Sequence, residues 1–207
     1  MWQEALPLLC ALGLAPKAEC ARSRRLILPT DDDGVRLIIA RAQDTPTFVA
    51  CGAAQIGIAG RDVLMEKPLA DICHPLDLQI AKCRMVVAAP PDDDNGGGKN
   101  NTSASGGLVV ATKYVNTARA FFANKGIAAN FIKLGGNMEI APMVGLADAI
   151  VDLVDTGKTL RDNGLEEKET IADISAMLIV NRIAARRRRG DIVKLQNRFA
   201  EVCAPKQ

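Results

Sequence analysis

Aromatic side chains, histidine and net charge are all scarce in this chain, and each shortage argues against a class of function. Aromatic residues make up only 3% of the 207 residues, which disfavours the stacking platforms that bind single-stranded nucleic acid. A formal net charge of +2 is too small to indicate a nucleic-acid or membrane partner. No apolar run reaches the roughly eighteen residues of a membrane span, and no signal peptide is recognisable. The composition therefore predicts a cytoplasmic globular protein.

The six cysteines and the single histidine do not form a recognisable chemical site. No two cysteines have CxxC spacing, so the ligand spacing of a zinc site is absent, and scattered cysteines in a cytosolic chain are usually reduced. His74 precedes a proline, and nothing near it in the sequence supports Ser-His-Asp or Cys-His catalysis. The motif G-x-x-x-x-G-K-[ST] is also absent, which argues against P-loop nucleotide hydrolysis.

What the chain does contain is an apolar strand that carries an acid and runs into a Thr-Gly-x-Thr turn. Asp152 interrupts the strand around Ile150 to Val154, and the sequence DTGKTL follows at 155–160. Such a turn presents backbone N–H groups, two hydroxyls and a lysine to one point, which suits a phosphate monoester. An ordinary Thr-capped loop is the alternative interpretation of the same residues.

Strand-like and helix-like patterns alternate along the chain, which predicts an α/β fold with mostly parallel, helix-covered sheets. Segments 35–40, 56–59, 78–89, 108–111, 131–134, 149–154 and 173–180 have the pattern of strands, and 3–14, 115–125 and 138–146 that of helices. Residues 91–107 (PDDDNGGGKNNTSASGG) contain almost no apolar side chain, so we expect a flexible surface loop there.

Several segments resemble the ATP phosphoribosyltransferase family in the same order along the chain. They are LPTDDDGVRLIIARAQDTPTFV (28–49), IGIAGRDVL (56–64), CRMVVA (83–88), VATKYVNTARAFF (110–122), MEIAPMVGLADAIVDLV (138–154) and the DTGKTL turn. The resemblance covers nearly the whole chain, from about residue 4 to residue 198. It implies a two-lobed fold similar to periplasmic binding proteins, with a cleft between the lobes. Lobe I would comprise residues 1–90 and 166–207, and lobe II residues 91–165.

The family resemblance implies that the chain condenses ATP with phosphoribosyl diphosphate (PRPP) to give N1-(5-phosphoribosyl)-ATP and pyrophosphate, the first step of histidine biosynthesis, with Mg²⁺. Glu139 and Asp152 would be the catalytic acids that contact ribose hydroxyls or hold magnesium through water. For Glu139 a plain first-turn helix acid is the alternative. The implied ligands of the PRPP 5′-phosphate are Asp155, Thr156, Gly157, Lys158, Thr159 and Leu160.

A second group of residues is implied to bind the nucleotide or the pyrophosphate. Its members are Arg41, Asp44, Gly60, Arg61, Asp62, Lys113 and Tyr114. A structural ion pair is the alternative for Arg41 and Asp44. Lys113 and Tyr114 lie at a strand end, where open sheets bind ligands. No residue is implied to bind the metal directly, so magnesium would be held through the substrate.

The resemblance is to the short form of the enzyme, which implies a regulatory subunit similar to histidyl-tRNA synthetase in a hetero-octamer, and a homodimer of catalytic chains. Four features depart from the family pattern. The strand and Pro-Lys-Gly-Arg-type turn that usually precede the first helix are absent, Gln55 replaces an acid, Gly135 replaces an aromatic, and Lys158 stands where small polar residues are usual. Two other functions therefore stay open: a non-catalytic module that binds an anion or nucleotide, and an inactive truncated subunit.

Overall fold

The computed structural model describes residues 2–18, 24–91 and 107–204. The chain divides into two compact units. Unit 1 consists of Met1–Leu64, Pro68–Ala81 and Ser175–Gln207, and unit 2 of Met65–Lys67 and Lys82–Ile174. Among the described residues, no helix is both long enough and apolar enough to cross a membrane.

Unit 1 contains helices and strands from both ends of the chain. They are α1 (Trp2–Ala11), β1 (Ile27–Pro29), β2 (Arg36–Ile38), α2 (Thr45–Ala50), β3 (Ile56–Gly60), β4 (Ile72–Asp77), β10 (Ala176–Asn181), α7 (Arg182–Arg187) and α8 (Arg189–Cys203), together with most of α3 (Arg61–Glu66). Strands β1 and β2 form an antiparallel pair, and β10 lies between β3 and β4 in a three-stranded antiparallel sheet.

Neighbouring residues of β10 point to opposite faces of its sheet, and each face is covered by a separate apolar cluster. Leu178 packs with Leu8, Leu12 and Phe199 on one face. Ile179 packs with Val49, Ala59, Leu64 and Ile72 on the other. The apolar residues of β10 therefore explain why this strand is central in unit 1.

Unit 2 is built on a five-stranded sheet with helices between the strands. Its elements are β5 (Cys83–Ala89), β6 (Leu108–Thr112), α4 (Val115–Asn124), β7 (Ala129–Lys133), α5 (Ile140–Met143), β8 (Ala149–Val154), α6 (Lys158–Asp162) and β9 (Glu166–Ile174). The strand order is β7-β6-β8-β5-β9. Strand β6 pairs in parallel with β7 and β8, whereas β5 pairs antiparallel with β8 and β9.

The two faces of the unit 2 sheet pack against different helices. On one face, Ile150 and Val154 of β8 join a cluster that includes Ala141 of α5 and Leu160 of α6. On the other face, Val151 joins a cluster that includes Ala118 and Phe122 of α4. Because side chains alternate along a strand, Asp152 lies on the same face as Ile150 and Val154, which is the face of α5 and α6.

The α/β class predicted from the sequence is confirmed, but the sheets are mixed rather than mostly parallel. Parallel pairing is confined to β6 with its two neighbours, and every other strand pair of the described residues is antiparallel. The alternation of strands and helices predicts which segments form each class of element. It does not determine the direction in which each strand joins its sheet.

Element boundaries also differ from those predicted. The expected long strand at 78–89 is interrupted, because Gln79 and Ala81 have positive φ values of 57° and 51° that end an extended segment. Strands β5 and β9 belong to unit 2, so this unit comprises 82–174 together with 65–67, whereas lobe II was expected at 91–165. The pairing of both strands into the sheet of β8 explains the difference. The predicted loop at 91–107 lies almost entirely outside the described residues.

Candidate active site

A concavity of about 250 Å³ lies within unit 2. It is lined by Glu139 and by the continuous segment Asp152–Leu160. Both predicted catalytic acids and all six predicted phosphate ligands therefore line one concave surface. The residues come from two neighbouring parts of the fold, the start of α5 and the passage from β8 into α6.

The segment 155–160, which we call the 155–160 loop, is shaped by one left-handed glycine. Gly157 has φ 72° and precedes the first residue of α6, a conformation that costs most other residues free energy. Leu160 is buried and packs against the β8 face, which anchors the loop to the sheet. Asp155, Thr156, Lys158 and Thr159 are exposed. A left-handed residue next to right-handed ones is the backbone arrangement of anion-binding nests, and the Lys158 N–H donates to the Thr156 hydroxyl at 3.5 Å.

Asp152 and Glu139 face the same concavity with different surroundings. The Asp152 carboxylate accepts a hydrogen bond from the Leu153 N–H at 2.8 Å. Burial raises the pKa of Asp152 above its ordinary value, and the nearby Glu139 charge acts in the same direction, whereas the Leu153 N–H and Lys113 lower it. Glu139 stands at the N-cap position of α5, but its side chain makes no capping hydrogen bond.

Lys113 meets Asp152 because β6 and β8 are adjacent parallel strands. Thr112 lies opposite Val151 in the register, so the next residue of each strand reaches the same edge of the sheet. The Lys113 ammonium lies 3.5 Å from the Asp152 carboxylate and 4.8 Å from the centre of the Tyr114 ring. Tyr114 is buried and precedes α4. Lys113 therefore contacts a residue of the concavity without lining it.

The remaining predicted ligands lie in unit 1. Arg41 and Asp44 are exposed and precede α2, where the Asp44 N–H donates to the Arg41 carbonyl at 2.9 Å. Within the described part of the chain, the salt bridges do not include a pair between these two side chains. Gly60 ends β3, the Arg61 N–H donates to the Ser175 carbonyl at 2.9 Å, and Asp62 is buried in α3.

Three charged side chains next to the loop were not identified from the sequence. Arg161 donates to the Thr156 carbonyl at 3.1 Å. Arg84 of β5 donates to both carboxylate oxygens of Glu167 at 3.1 and 3.0 Å. Arg84 lies within the CRMVVA segment, but strand pairing was needed to bring it to β9. Among the described residues, His, Cys, Asp and Glu side chains do not form a group of three or more that could hold a metal ion.

Comparison with known proteins identifies the family. The family model of ATP phosphoribosyltransferase, HisG, matches residues 41–201. This chain belongs to the ATP phosphoribosyltransferase family. An ATP phosphoribosyltransferase of Methylococcus capsulatus is 51% identical over 202 residues, which are 98% of this chain and 91% of the relative. Another from Thiobacillus denitrificans is 51% identical over 204 residues, covering 99% and 93% of the two chains.

A solved structure of the same family is similar over the whole fold. It is the ATP phosphoribosyl transferase (HisG:HisZ) complex from Thermotoga maritima, which matches with a TM-score of 0.78 and 29% sequence identity. The match covers 98% of this chain and 93% of that chain. The family membership predicted from ordered segments of the sequence is therefore confirmed, and the chain is a member of a family of transferases.

Proposed function

We propose that this chain transfers the 5-phosphoribosyl group of PRPP to N1 of ATP and releases pyrophosphate, as the first step of histidine biosynthesis. One observation carries this proposal. In a chain of the ATP phosphoribosyltransferase family, a single concavity is lined by two acids and by a loop suited to phosphate. The reaction forms the bond between N1 of adenine and the anomeric carbon, and it breaks the bond between that carbon and the pyrophosphate oxygen.

The 155–160 loop would hold the 5′-phosphate of PRPP. The first turn of α6 has N–H groups without intrahelical partners, and Thr156, Lys158 and Thr159 are exposed beside them. Hydrogen bonds from N–H, hydroxyl and ammonium groups to a charged phosphate are stronger than those between neutral groups. This loop would therefore fix one end of the phosphoribosyl group, so that the anomeric carbon has a defined position.

Asp152 and Glu139 would act at the ribose. Both carboxylates line the same concavity as the loop, and the side chains of ionised acids accept hydrogen bonds from hydroxyl groups. Their negative charge also favours the positive charge that develops on the sugar ring as pyrophosphate leaves. Asp152 has to be ionised for both roles, and the ammonium of Lys113 at 3.5 Å favours that state.

The side chains that line this concavity suit a magnesium ion that is held mainly by the phosphates of the substrate. Glu139 and Asp152 offer hard oxygen atoms that would hold the ion through water, since Mg²⁺ usually retains several waters and binds substrate phosphates. When bound, the ion would neutralise the leaving pyrophosphate. We assign nucleotide or pyrophosphate binding to Arg41, Asp44, Gly60, Arg61, Asp62, Lys113 and Tyr114.

We further propose that the chain acts as a homodimer with a regulatory subunit similar to histidyl-tRNA synthetase, in a hetero-octamer. The support is the family resemblance together with the solved relative from Thermotoga maritima, which is a HisG:HisZ complex. Size-exclusion chromatography with light scattering, applied to the chain alone and to its mixture with the candidate subunit, would test this assembly. A mixture that elutes as two separate species would contradict it.

The test of the proposed reaction is formation of phosphoribosyl-ATP from ATP and PRPP, followed by absorbance, with and without the candidate subunit. We expect product only when ATP, PRPP and magnesium are all present. Calorimetry of PRPP binding to the same preparation provides the second arm. Binding of PRPP without turnover under any of these conditions would indicate a non-catalytic module or an inactive subunit. Neither binding nor turnover would contradict the proposal.

A further inference from the structure

Three charged side chains lie next to the 155–160 loop or contact a residue that does, and they do not line the concavity. We call Arg84, Arg161 and Glu167 the loop brace. Arg84 is on β5, Arg161 on α6 and Glu167 on β9. Glu167 and Arg161 lie next to the turn at Gly157, and Arg84 contacts Glu167.

Glu167 and Arg161 occupy the space next to Gly157. A side chain at residue 157 would place its Cβ 2.8 Å from a carboxylate oxygen of Glu167 and 3.0 Å from a guanidinium nitrogen of Arg161. Arg161 also donates to the Thr156 carbonyl at 3.1 Å. The turn at Gly157 is therefore next to one anion and one cation, neither of which lines the concavity.

A carboxylate in this position opposes phosphate binding unless its charge is neutralised. Charges a few ångströms apart near a protein surface interact appreciably because the effective dielectric constant there is well below that of water. Arg84 meets this requirement, because one guanidinium nitrogen lies 3.1 and 3.0 Å from the two carboxylate oxygens of Glu167. Both side chains are partly exposed, with 40% and 31% of their surface accessible, so the pair contributes little to the stability of the fold.

We propose that the loop brace sets the charge behind the phosphate site, with Arg84 as a positioning residue that acts through Glu167. Glu167 supports the turn at Gly157 by contact, and Arg84 cancels the charge that this contact brings to the loop. The brace then has a net charge of one positive unit from Arg161, which favours a phosphate dianion. This inference rests on the proposed function, because it concerns the residues that we assign to the 5′-phosphate.

The charge of the brace predicts the order of phosphate affinity among four chains. The net charge of the loop brace is +1 in the native chain and in the double variant Arg84→Met/Glu167→Gln. It is zero in Arg84→Met and +2 in Glu167→Gln. We expect Arg84→Met to bind ribose 5-phosphate about tenfold more weakly than the native chain. Glu167→Gln should bind it as tightly as the native chain or more tightly, and the double variant should recover most of the loss.

The measurement is calorimetric titration of each chain with ribose 5-phosphate, together with KM and kcat for PRPP and ATP. We expect KM for PRPP to follow the order of affinity while KM for ATP changes less than about threefold. Lys125→Met is the matched control, since Lys125 forms an ion pair with Glu169 of the same strand β9 and does not line the concavity. If Arg84→Met does not fold, Arg84→Gln removes the same charge and takes its place, and Arg84→Lys, which keeps the charge, should bind like the native chain.

The double variant decides the inference. A double variant that binds as weakly as Arg84→Met, or more weakly, would overturn the electrostatic role and leave Arg84 as a packing residue. A native affinity for ribose 5-phosphate in Arg84→Met would overturn it as well. Failure of the native chain to bind either ribose 5-phosphate or PRPP is a different result, because it contradicts the proposed function itself.

Discussion

The ammonium of Lys113 lies 3.5 Å from the carboxylate of Asp152, across two parallel strands of the unit 2 sheet. Asp152 is thereby held between one cation and the carboxylate of Glu139, which affect its pKa in opposite directions. Burial outweighs the favourable contacts, so the pKa of Asp152 is raised overall. Beside the larger effects of burial and of the Leu153 N–H, Lys113 is the neighbouring charge that lowers this pKa and Glu139 the one that raises it.

Replacing Lys113 by Met should shift the acid limb of the pH profile of kcat/KM for PRPP to higher pH. The physical reason is that Lys113 lowers the pKa of Asp152, so its removal allows that pKa to rise further. Lys113→Arg keeps the charge and should keep the limb near its native position. A folded Lys113→Met chain whose acid limb does not move would contradict a functional role of ionised Asp152.

Asp152→Asn should abolish turnover without destabilising the chain. The raised pKa means that folding favours the protonated acid, so the ionised carboxylate costs stability at neutral pH. The contribution of native Asp152 to stability is fully present below its ordinary pKa of 3.8 and is lost as the pH rises through the raised value. Urea denaturation should therefore give Asp152→Asn a free energy of unfolding equal to or above the native one at neutral pH. Any advantage of the variant should shrink as the pH falls, and an advantage that grows on acidification would contradict this account.

Gly157→Ala should reduce both stability and PRPP affinity. The residue has φ 72°, so a side chain there costs the backbone about 1–2 kcal/mol, and its Cβ, 2.8 Å from a carboxylate oxygen of Glu167, would displace the flexible end of that side chain. Gly164→Ala is the matched control, because Gly164 has φ 67° and no atom within 4 Å of the Cβ position. Urea denaturation and PRPP titration of both variants should show a similar backbone cost, with a loss of affinity in Gly157→Ala alone. Equal PRPP affinities would argue against a phosphate site at this turn.

Thr112→Val should lower the stability of unit 2. The fully buried Thr112 hydroxyl donates to the Val151 carbonyl at 2.7 Å and accepts from the Tyr114 N–H at 2.9 Å. A valine leaves both groups without this partner, which costs about 1–3 kcal/mol. Thr112→Ser keeps the hydroxyl and should retain most of the stability. Thermal unfolding of the two variants separates lost hydrogen bonds from lost packing, and equal melting temperatures would contradict this explanation.

The sequence predicted the local parts of the site better than its surroundings. The turn at 155–160 and the acid at 152 are neighbours along the chain, so their common placement follows from one strand and one turn. Strand β8 was predicted with the boundaries that it has, 149–154, because its apolar residues are interrupted only by Asp152 and end where the DTGKTL turn begins.

Contacts that depend on strand order were not predictable from the sequence. The Arg84 side chain meets Glu167 even though the register of β5 and β9 places Arg84 opposite Asp173 and Glu167 opposite Ala88, and that register shifts at two places. Glu139 reaches the concavity because α5 packs on the same face of the sheet as α6. Periodicity indicates which residues of a strand share a face, but it does not determine which strands are neighbours or where a bulge lies.

The most direct test of the account is kcat/KM for PRPP in the double variant Thr156→Ala/Thr159→Ala, compared with the control Thr170→Ala. Thr156 and Thr159 line the concavity, whereas Thr170 is an exposed threonine of β9 outside it. Loss of two hydroxyl donors to a charged phosphate predicts a decrease of at least about 30-fold in the folded double variant and none in the control. A double variant with native kcat/KM for PRPP would contradict the assignment of this concavity to the phosphoribosyl group.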